Sequence, residues 1–392
     1  MQYLYSDGGV RQTSLKNIKR VVIKIGTRLL MDVQGESPEQ RVAKLIAEVA
    51  RLRAAGLDVV LVSSGAIGAA LRVLKTGRRP KRMAALQAYA ALGQCHLMTL
   101  YEEACNPHGF HCAQLLLTAA DLHDHDRNLK VTQCLEELLA QGILPIINEN
   151  DSVCIDEIKV GDNDTLAALT SSLCRADLTI LLTTVDGLCE REQTTGKLGR
   201  RISVVNEIGE EVLAQAQGTD GNSFSVGGMI TKLRAASITT ACGEYLWIAN
   251  GFDFTTIRRI FDFEDVGTLF MPAIKERMHA RQRFIAFFSE PEGELIVDSG
   301  AEEALLRNGK SLLPSGILGL RGVFTAGATV RVIGTDRKEL ARGTVNFGTA
   351  ELSKICGAGT SQLEELLGHK PGATEAIHRN ALVITNRIFN PR

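Results

Sequence analysis

Residues 20–68 read RVVIKIGTRLLMDVQGESPEQRVAKLIAEVARLRAAGLDVVLVSSGAIG, and the order of patterns inside this stretch decides the fold. Arg20 to Ile25 is a β-branched run of the buried-strand type. Pro38 to Ala55 places Val42, Leu45, Ile46, Val49 and Leu52 at helical spacing, and Gly56 stops the helix. Asp58 to Ser63 is the next strand. The alternation continues outward, with strands expected at Ile143 to Ile147, Leu178 to Thr183 and Leu246 to Ala249. Helices are expected at Met83 to Ala104, Asn128 to Ala140, Thr165 to Cys174 and Lys232 to Cys242. This pattern predicts an α/β fold with a mostly parallel sheet sandwiched by helices.

After about residue 290 the pattern changes. Gly293, Gly300, Gly309, Gly316, Gly319, Gly322 and Gly327 punctuate short runs such as GELIVD, ATVRVIG and ARGTVNFG. Such punctuation predicts a small, mainly-β domain. The expected organisation is an N-terminal extension over 1–19, an α/β domain over 20–265, a linker over 266–290, a mainly-β domain over 291–370 and a C-terminal tail over 371–392. The polar residues 1–19 read as peripheral.

Composition bounds the function. Lys+Arg 44 against Asp+Glu 45 gives a net charge of −1, which argues against a protein built mainly to coat nucleic acid. Hydrophobic residues make 45% of the 392, enough for sizeable cores. Nine cysteines without a CxxC pair speak against a disulfide framework and a ribbon-type zinc site. The N-terminus has no signal-peptide run, and the longest apolar runs are strand-sized, too short to span a bilayer. The expectation is a soluble, cytoplasmic protein with no membrane partner.

Four clusters fall where strands end, the edge at which open α/β sheets gather ligands. Lys24-Ile25-Gly26-Thr27 sets a lysine among apolar neighbours, and burying it requires an anionic partner. Ser63-Ser64-Gly65-Ala66-Ile67-Gly68 is a glycine turn entering a helix, suited both to capping and to anions. Asn148-Glu149-Asn150-Asp151, Glu157-Ile158 and Gly161-Asp162-Asn163-Asp164 form a dense acid and amide cluster able to hold an ammonium group, a lysine or hydrated Mg²⁺. Gly227-Gly228-Met229-Ile230-Thr231-Lys232 puts backbone amides and a lysine at a helix start. A Walker A loop is excluded, since Gly309-Lys310-Ser311 has Ala304 where the first glycine should stand. Two lysines, an acidic GDND and glycine turns point to phosphoryl transfer, which is mainly positioning and charge stabilisation.

Taken together, KIGT, SSGAIG, NENDSV, EIKVGDND, LLTTVDGL and GGMITK resemble the amino acid kinase family, and within it the branch acting on free glutamate. The C-terminal stretch GELIVDSGAEEALLRNGKSLLPSGI resembles a PUA domain. The resemblance implies ATP-dependent phosphorylation of the γ-carboxylate of L-glutamate to L-glutamyl 5-phosphate, the first step of proline biosynthesis, with proline as a feedback inhibitor. It implies that Lys24 and Lys232 stabilise the transferring phosphoryl group and that Asp164 orients both. Ser64, Asp151 and Asn163 would hold glutamate, with Asp162 contributing to that pocket. Lys24, Gly26, Thr27, Thr183 and Thr184 would contact ATP, as would Val226, Gly227, Gly228, Met229, Ile230, Thr231 and Lys232. Mg²⁺ would arrive with ATP, with no fixed protein ligand to a metal. Thr184 stands where the family carries Asp and Cys189 where it carries Tyr, both on the nucleotide side. A homo-oligomer, dimer or tetramer, is implied, with Met83 to Ala104 a source of interface.

Other features support weaker readings. Asp121 to Asp126 (DLHDHD) resembles a metal cluster but suits capping and solvation better. Cys154 carries no mark of a reactive thiolate. Trp247 sits in a strand pattern and reads as core, and the basic run GRRPKR at 77–82 reads as a solvated loop. RNA binding by the C-terminal domain is disfavoured, because residues 291–392 hold 12 Lys+Arg and 11 Asp+Glu, a net of +1.

Overall fold

A computed structural model describes residues 2–6, 9–31, 33, 35–153, 162–191, 198–216, 228–274 and 276–386. It divides into two compact units, Met1–Leu122 with Asp126–Arg277, and His123–His125 with Met278–Arg392. Along the first part of the chain the strands are β1 (Tyr3–Leu4), β2 (Arg20–Ile25), β3 (Asp58–Val62), β4 (Cys112–Leu117), β5 (Leu144–Glu149), β6 (Leu178–Thr183), β7 (Cys189–Arg191), β8 (Leu198–Arg201), β9 (Val204–Val205), β10 (Tyr245–Asn250) and β11 (Thr268–Phe270). The helices are α1 (Val10–Leu15), α2 (Thr27–Met31), α3 (Pro38–Ala54), α4 (Ala66–Val73), α5 (Met83–Cys105), α6 (Ala119–His123), α7 (His125–Ala140), α8 (Asn163–Cys174), α9 (Glu210–Gln215), α10 (Met229–Ala241) and α11 (Thr255–Phe261).

Nine strands form one sheet in the order β1-β9-β11-β10-β6-β2-β3-β5-β4. The pairings β10–β6, β6–β2, β2–β3, β3–β5 and β5–β4 are all parallel. Parallel strands need crossovers, and the helices between them cover the sheet. Both faces of the central strands are therefore buried: Val21, Val22 and Ile23 of β2 are each 0% exposed. Trp247 on β10 is buried core, as its pattern implied. Helix α3 begins with Ser37 and Gln40 in a reciprocal capping box and Pro38 in its first turn, so its start is written locally.

Three expectations about the ends of the domains require correction. Residues 1–19 are not peripheral: β1 pairs with β9, and Arg11 of α1 is completely buried. The segment 266–290 holds a sheet strand, because β11 pairs antiparallel with β10 and parallel with β9. Its three residues are too few to display alternation, and Pro272 with the neighbouring charges dominates the local pattern. The segment 371–392 likewise supplies a strand, described next.

The second unit carries β12 (Gly293–Val297), β13 (Ile317–Gly322), β14 (Thr329–Ile333), β15 (Glu339–Thr344) and β16 (Leu382–Ile384), in the order β13-β12-β14-β15-β16. Leu295, Val297, Val330, Val332 and Leu340 form the centre of its own core. Among the described residues, no helix is long and apolar enough to cross a membrane.

Candidate active site

The carboxyl ends of β2, β3, β5, β6 and β10 lie along one edge of the sheet. Lys24 is the penultimate residue of β2, so its ammonium group is delivered to that edge. Asp164 sits in the first turn of α8 and Lys232 in the first turn of α10. Lys24 Nζ lies 2.7 Å from Asp164 Oδ1, and Lys232 Nζ donates to Asp164 Oδ2 at 3.1 Å. Thr231 Oγ1 lies 2.9 Å from the same Oδ2 and 2.9 Å from Gly228 O, so its single proton is held between a carboxylate and the carbonyl that opens α10. The carboxylate therefore bridges both lysines.

This cluster is nearly dry. The side chains of Lys24, Asp164 and Lys232 are 12%, 3% and 8% exposed. Burial by itself would raise the Asp164 pKa, but the Lys24 and Lys232 ammonium groups overcome it and hold the carboxyl at about 2. Asp164 thus brings two buried ammonium groups together at the starts of α8 and α10, whose N-termini also favour negative charge. The anionic partner that buried Lys24 required is thus a resident carboxylate.

Beside this centre stands an amide network. Asn163 Nδ2 lies 2.6 Å from Ser64 Oγ, 3.1 Å from Ser63 O and 3.3 Å from Asn148 Oδ1. Asn148 Nδ2 donates to Gln94 Oε1 at 3.0 Å, and Ser63 Oγ lies 2.8 Å from Tyr101 Oη. Ser64 and Asn163, far apart in sequence, are therefore in contact. Gly65 adopts φ +111°, the left-handed conformation that lets the chain turn from β3 into α4. A Cβ at Gly68 would lie 3.2 Å from Thr27 Cγ2, so the KIGT and SSGAIG turns face each other.

Several other site residues take definite places. Asp162 is the N-cap of α8: its Oδ1 accepts from Asp164 N at 2.7 Å and Thr165 N at 2.9 Å. Its Oδ1 is thus committed to holding the start of α8, and Asp164 with it. Gly26 brings backbone beside Lys24, since a Cβ there would lie 4.0 Å from Nζ. Thr27 opens α2 and is exposed. Thr183 ends β6 and its carbonyl accepts from Gly251 N at 2.8 Å; Thr184 follows, half-buried. Asp151 follows β5 in a turn that Ser152 Oγ closes by donating to Asn150 Oδ1 at 2.5 Å. Gly228 caps α10, with Met229 and Ile230 in its first turn. Val226 and Gly227 lie outside the described residues, as do Cys154, Glu157, Ile158 and Gly161.

Two residues of the network, Gln94 and Tyr101, were not singled out from the sequence. Asn148 was visible inside the NEND cluster, at a strand end. Gln94 carries no signal, because its setting depends on how α5 packs. Among the described residues, no group of three or more His, Cys, Asp and Glu is placed to hold a metal ion.

Comparison with known proteins identifies the family. Residues 19–250 match the amino acid kinase family, and residues 293–367 match the PUA domain. The glutamate 5-kinase of Geobacter sulfurreducens is 42% identical over 375 residues, covering 96% of this chain and 100% of that protein. The glutamate 5-kinase of a Thermoanaerobacter species is 42% identical over 368 residues, covering 94% and 98%. Among solved structures, Giardia carbamate kinase aligns with TM-score 0.46 at 19% identity, over 65% of this chain and 99% of that one. The chain belongs to the amino acid kinase family.

Proposed function

We propose that this protein transfers the γ-phosphoryl group of ATP to the γ-carboxylate of L-glutamate, giving L-glutamyl 5-phosphate for proline biosynthesis. The observation that carries this reading is the buried Lys24–Asp164–Lys232 cluster, two ammonium groups brought together at the edge where strands end and helices begin. The full-length likeness to glutamate 5-kinases supports the choice of acceptor.

The chemistry follows from charge. A γ-carboxylate has an ordinary pKa near ~4.3 and is ionised at neutral pH, so the nucleophile needs no general base. The obstacle is repulsion between that carboxylate and the terminal phosphate. Lys24 and Lys232 offset it from two sides, and Asp164 holds both ammonium groups where the charge develops. Low exposure of all three side chains also protects an acyl phosphate from hydrolysis.

In this reading Ser64, Asn163 and Asp151 hold the amino acid. Gly26, Thr27, Thr183, Thr184 and the segment 226–232 receive the nucleotide. Asp164 and Asp162 are already engaged by lysines and backbone N–H groups, so Mg²⁺ would arrive with ATP and would supply charge that offsets that of the phosphates. Proline competes for the amino acid pocket, the protein assembles as a homo-oligomer, and the PUA domain is regulatory or architectural.

The test is ATP-dependent acyl phosphate formation trapped as a hydroxamate, with glutamate, N-acetylglutamate and aspartate side by side. Activity on glutamate alone, abolished by Lys232→Ala, is expected. Failure with all three acceptors would refute the proposal.

A further inference from the structure

The acceptor side of the site contains amide groups whose orientation is dictated by the backbone. Asn148 Oδ1 accepts from Glu149 N at 2.9 Å, so the Nδ2 of that amide must face the other way. It faces Gln94, and only the oxygen of Gln94 can receive it, at 3.0 Å. Asn163 Nδ2 lies against the backbone carbonyl of Ser63, an obligate acceptor, so its Oδ1 must turn away from the network. Neither amide can be reversed without setting donor against donor or acceptor against acceptor.

Gln94 supports this arrangement at a cost. It is 6% exposed, and its Nε2 is buried without a hydrogen-bond partner. An apolar side chain would avoid that orphaned donor, so packing alone does not account for a glutamine here. Gly93, its neighbour on α5, shows how close the helix comes: a Cβ there would lie 1.7 Å from Ala66 O, beside the Ser64 turn.

We propose that Gln94 is a positioning residue of the acceptor pocket, which through Asn148 locks Asn163 with its oxygen, not its nitrogen, available to the substrate. This inference rests on the proposed glutamate kinase reading. With Asn163 Nδ2 turned inward, its Oδ1 accepts from the substrate ammonium group. Ser64 Oγ accepts from Asn163, so its own hydroxyl proton is left to donate to a substrate carboxylate. The pocket thereby has a fixed polarity that matches a zwitterion. Without Gln94, Asn148 Nδ2 loses its acceptor; the backbone contacts keep both amides the same way round, but Asn148 loses the partner that fixes its position, and Asn163, which leans on Asn148, is set less firmly before the ammonium group.

The experiment is steady-state kinetics of Gln94→Met and Gln94→Glu in the full-length protein, with melting temperatures. Gln94→Met exchanges one orphaned amide, Gln94 Nε2, for another, Asn148 Nδ2, so its melting temperature is expected to stay near wild type. Its KM for glutamate is expected to rise roughly tenfold to hundredfold, the worth of a hydrogen bond to a charged group, with KM for ATP unchanged. Gln94→Glu, whose buried carboxyl stays protonated and still offers an oxygen to Asn148, is expected to restore KM. An unchanged KM in Gln94→Met, or equal rises in both variants, would overturn the proposal. If Gln94→Met does not fold, Gln94→Asn, which withdraws the oxygen while remaining an amide, puts the same question. A wild-type protein that fails to phosphorylate glutamate would remove both this inference and the function beneath it, whereas an active wild type with indifferent variants removes only this one.

Discussion

Two regions of the first unit place two cations on one carboxylate, with opposite consequences. At one, Asp265 Oδ1 lies 2.7 Å from Arg11 Nη2 and 2.9 Å from Arg201 Nη2. At the other, Asp164 joins Lys24 and Lys232. Asp265 is 43% exposed and Asp164 is 3% exposed. Arg11 also donates to the carbonyls of Glu264, Val266, Ser203 and Gly267, and stacks 4.7 Å from the centre of the Trp247 ring. Its charge is spread over many carbonyl acceptors and a water-accessible carboxylate. The two lysines present compact charges in a dry pocket, where attraction to an anion is strongest. The same stoichiometry thus serves as a clamp where carbonyls and water share the charge, and in the proposed function as an anion site where the charges are compact and buried.

This contrast can be broken by experiment. The largest effect is expected from Arg11→Ala, which strands several buried carbonyls and should destabilise the protein by about 3–5 kcal/mol in urea unfolding, with kcat of the folded fraction unchanged. Loss of kcat without loss of stability would show that the clamp is not merely structural. Lys232→Ala should do the reverse, lowering kcat about 10²–10³-fold while the melting temperature changes little. A fall in KM alone would contradict its role in the phosphoryl centre.

The charge of Asp164 gives the next effect. Its pKa is held at about 2 against an ordinary 3.8, so the cluster contributes stability above about pH 4 that is lost as pH falls toward 2. At about 1.4 kcal/mol per unit, this amounts to about 2 kcal/mol. The stability difference between wild type and Asp164→Asn should narrow across that window, and a constant difference would contradict the ionic reading. The smallest effect is expected for Thr231→Val, which removes the hydroxyl at Asp164. A loss of about 1 kcal/mol, roughly fivefold in kcat, should appear without change in the KM for glutamate. An unchanged kcat would confine Thr231 to capping α10.

The residues of the phosphoryl centre were legible because each sits at a strand end or a helix start, where local pattern is strong. Lys24 was conspicuous as a charge inside RVVIKI, and GDND as acids opening an apolar helix. Asp162 was legible as part of that cluster, but not as its cap, because one aspartate before a helix suits both a ligand and two backbone N–H groups. Arg11 was illegible. Its partners are mostly main-chain carbonyls of residues 203–267, and carbonyls have no residue-type signature. The short strands β11 and β16 escaped for a related reason: three residues reveal no period, and their place is set by the strand beside them.

By itself the sequence determined the alternation of strand and helix, the glycine turns at the sheet edge, and the residue types that face an anion. Those are local properties, set by period, steric freedom and charge over a few positions. Only the tertiary structure decided that Lys24 and Lys232 meet on the Asp164 carboxylate, that Asp162 Oδ1 caps a helix start, and that Gln94, Asn148 and Asn163 join in one hydrogen-bonded chain. Distances between groups far apart along the chain are fixed by sheet order and helix packing, and hydrogen-bond polarity is fixed only once those distances exist.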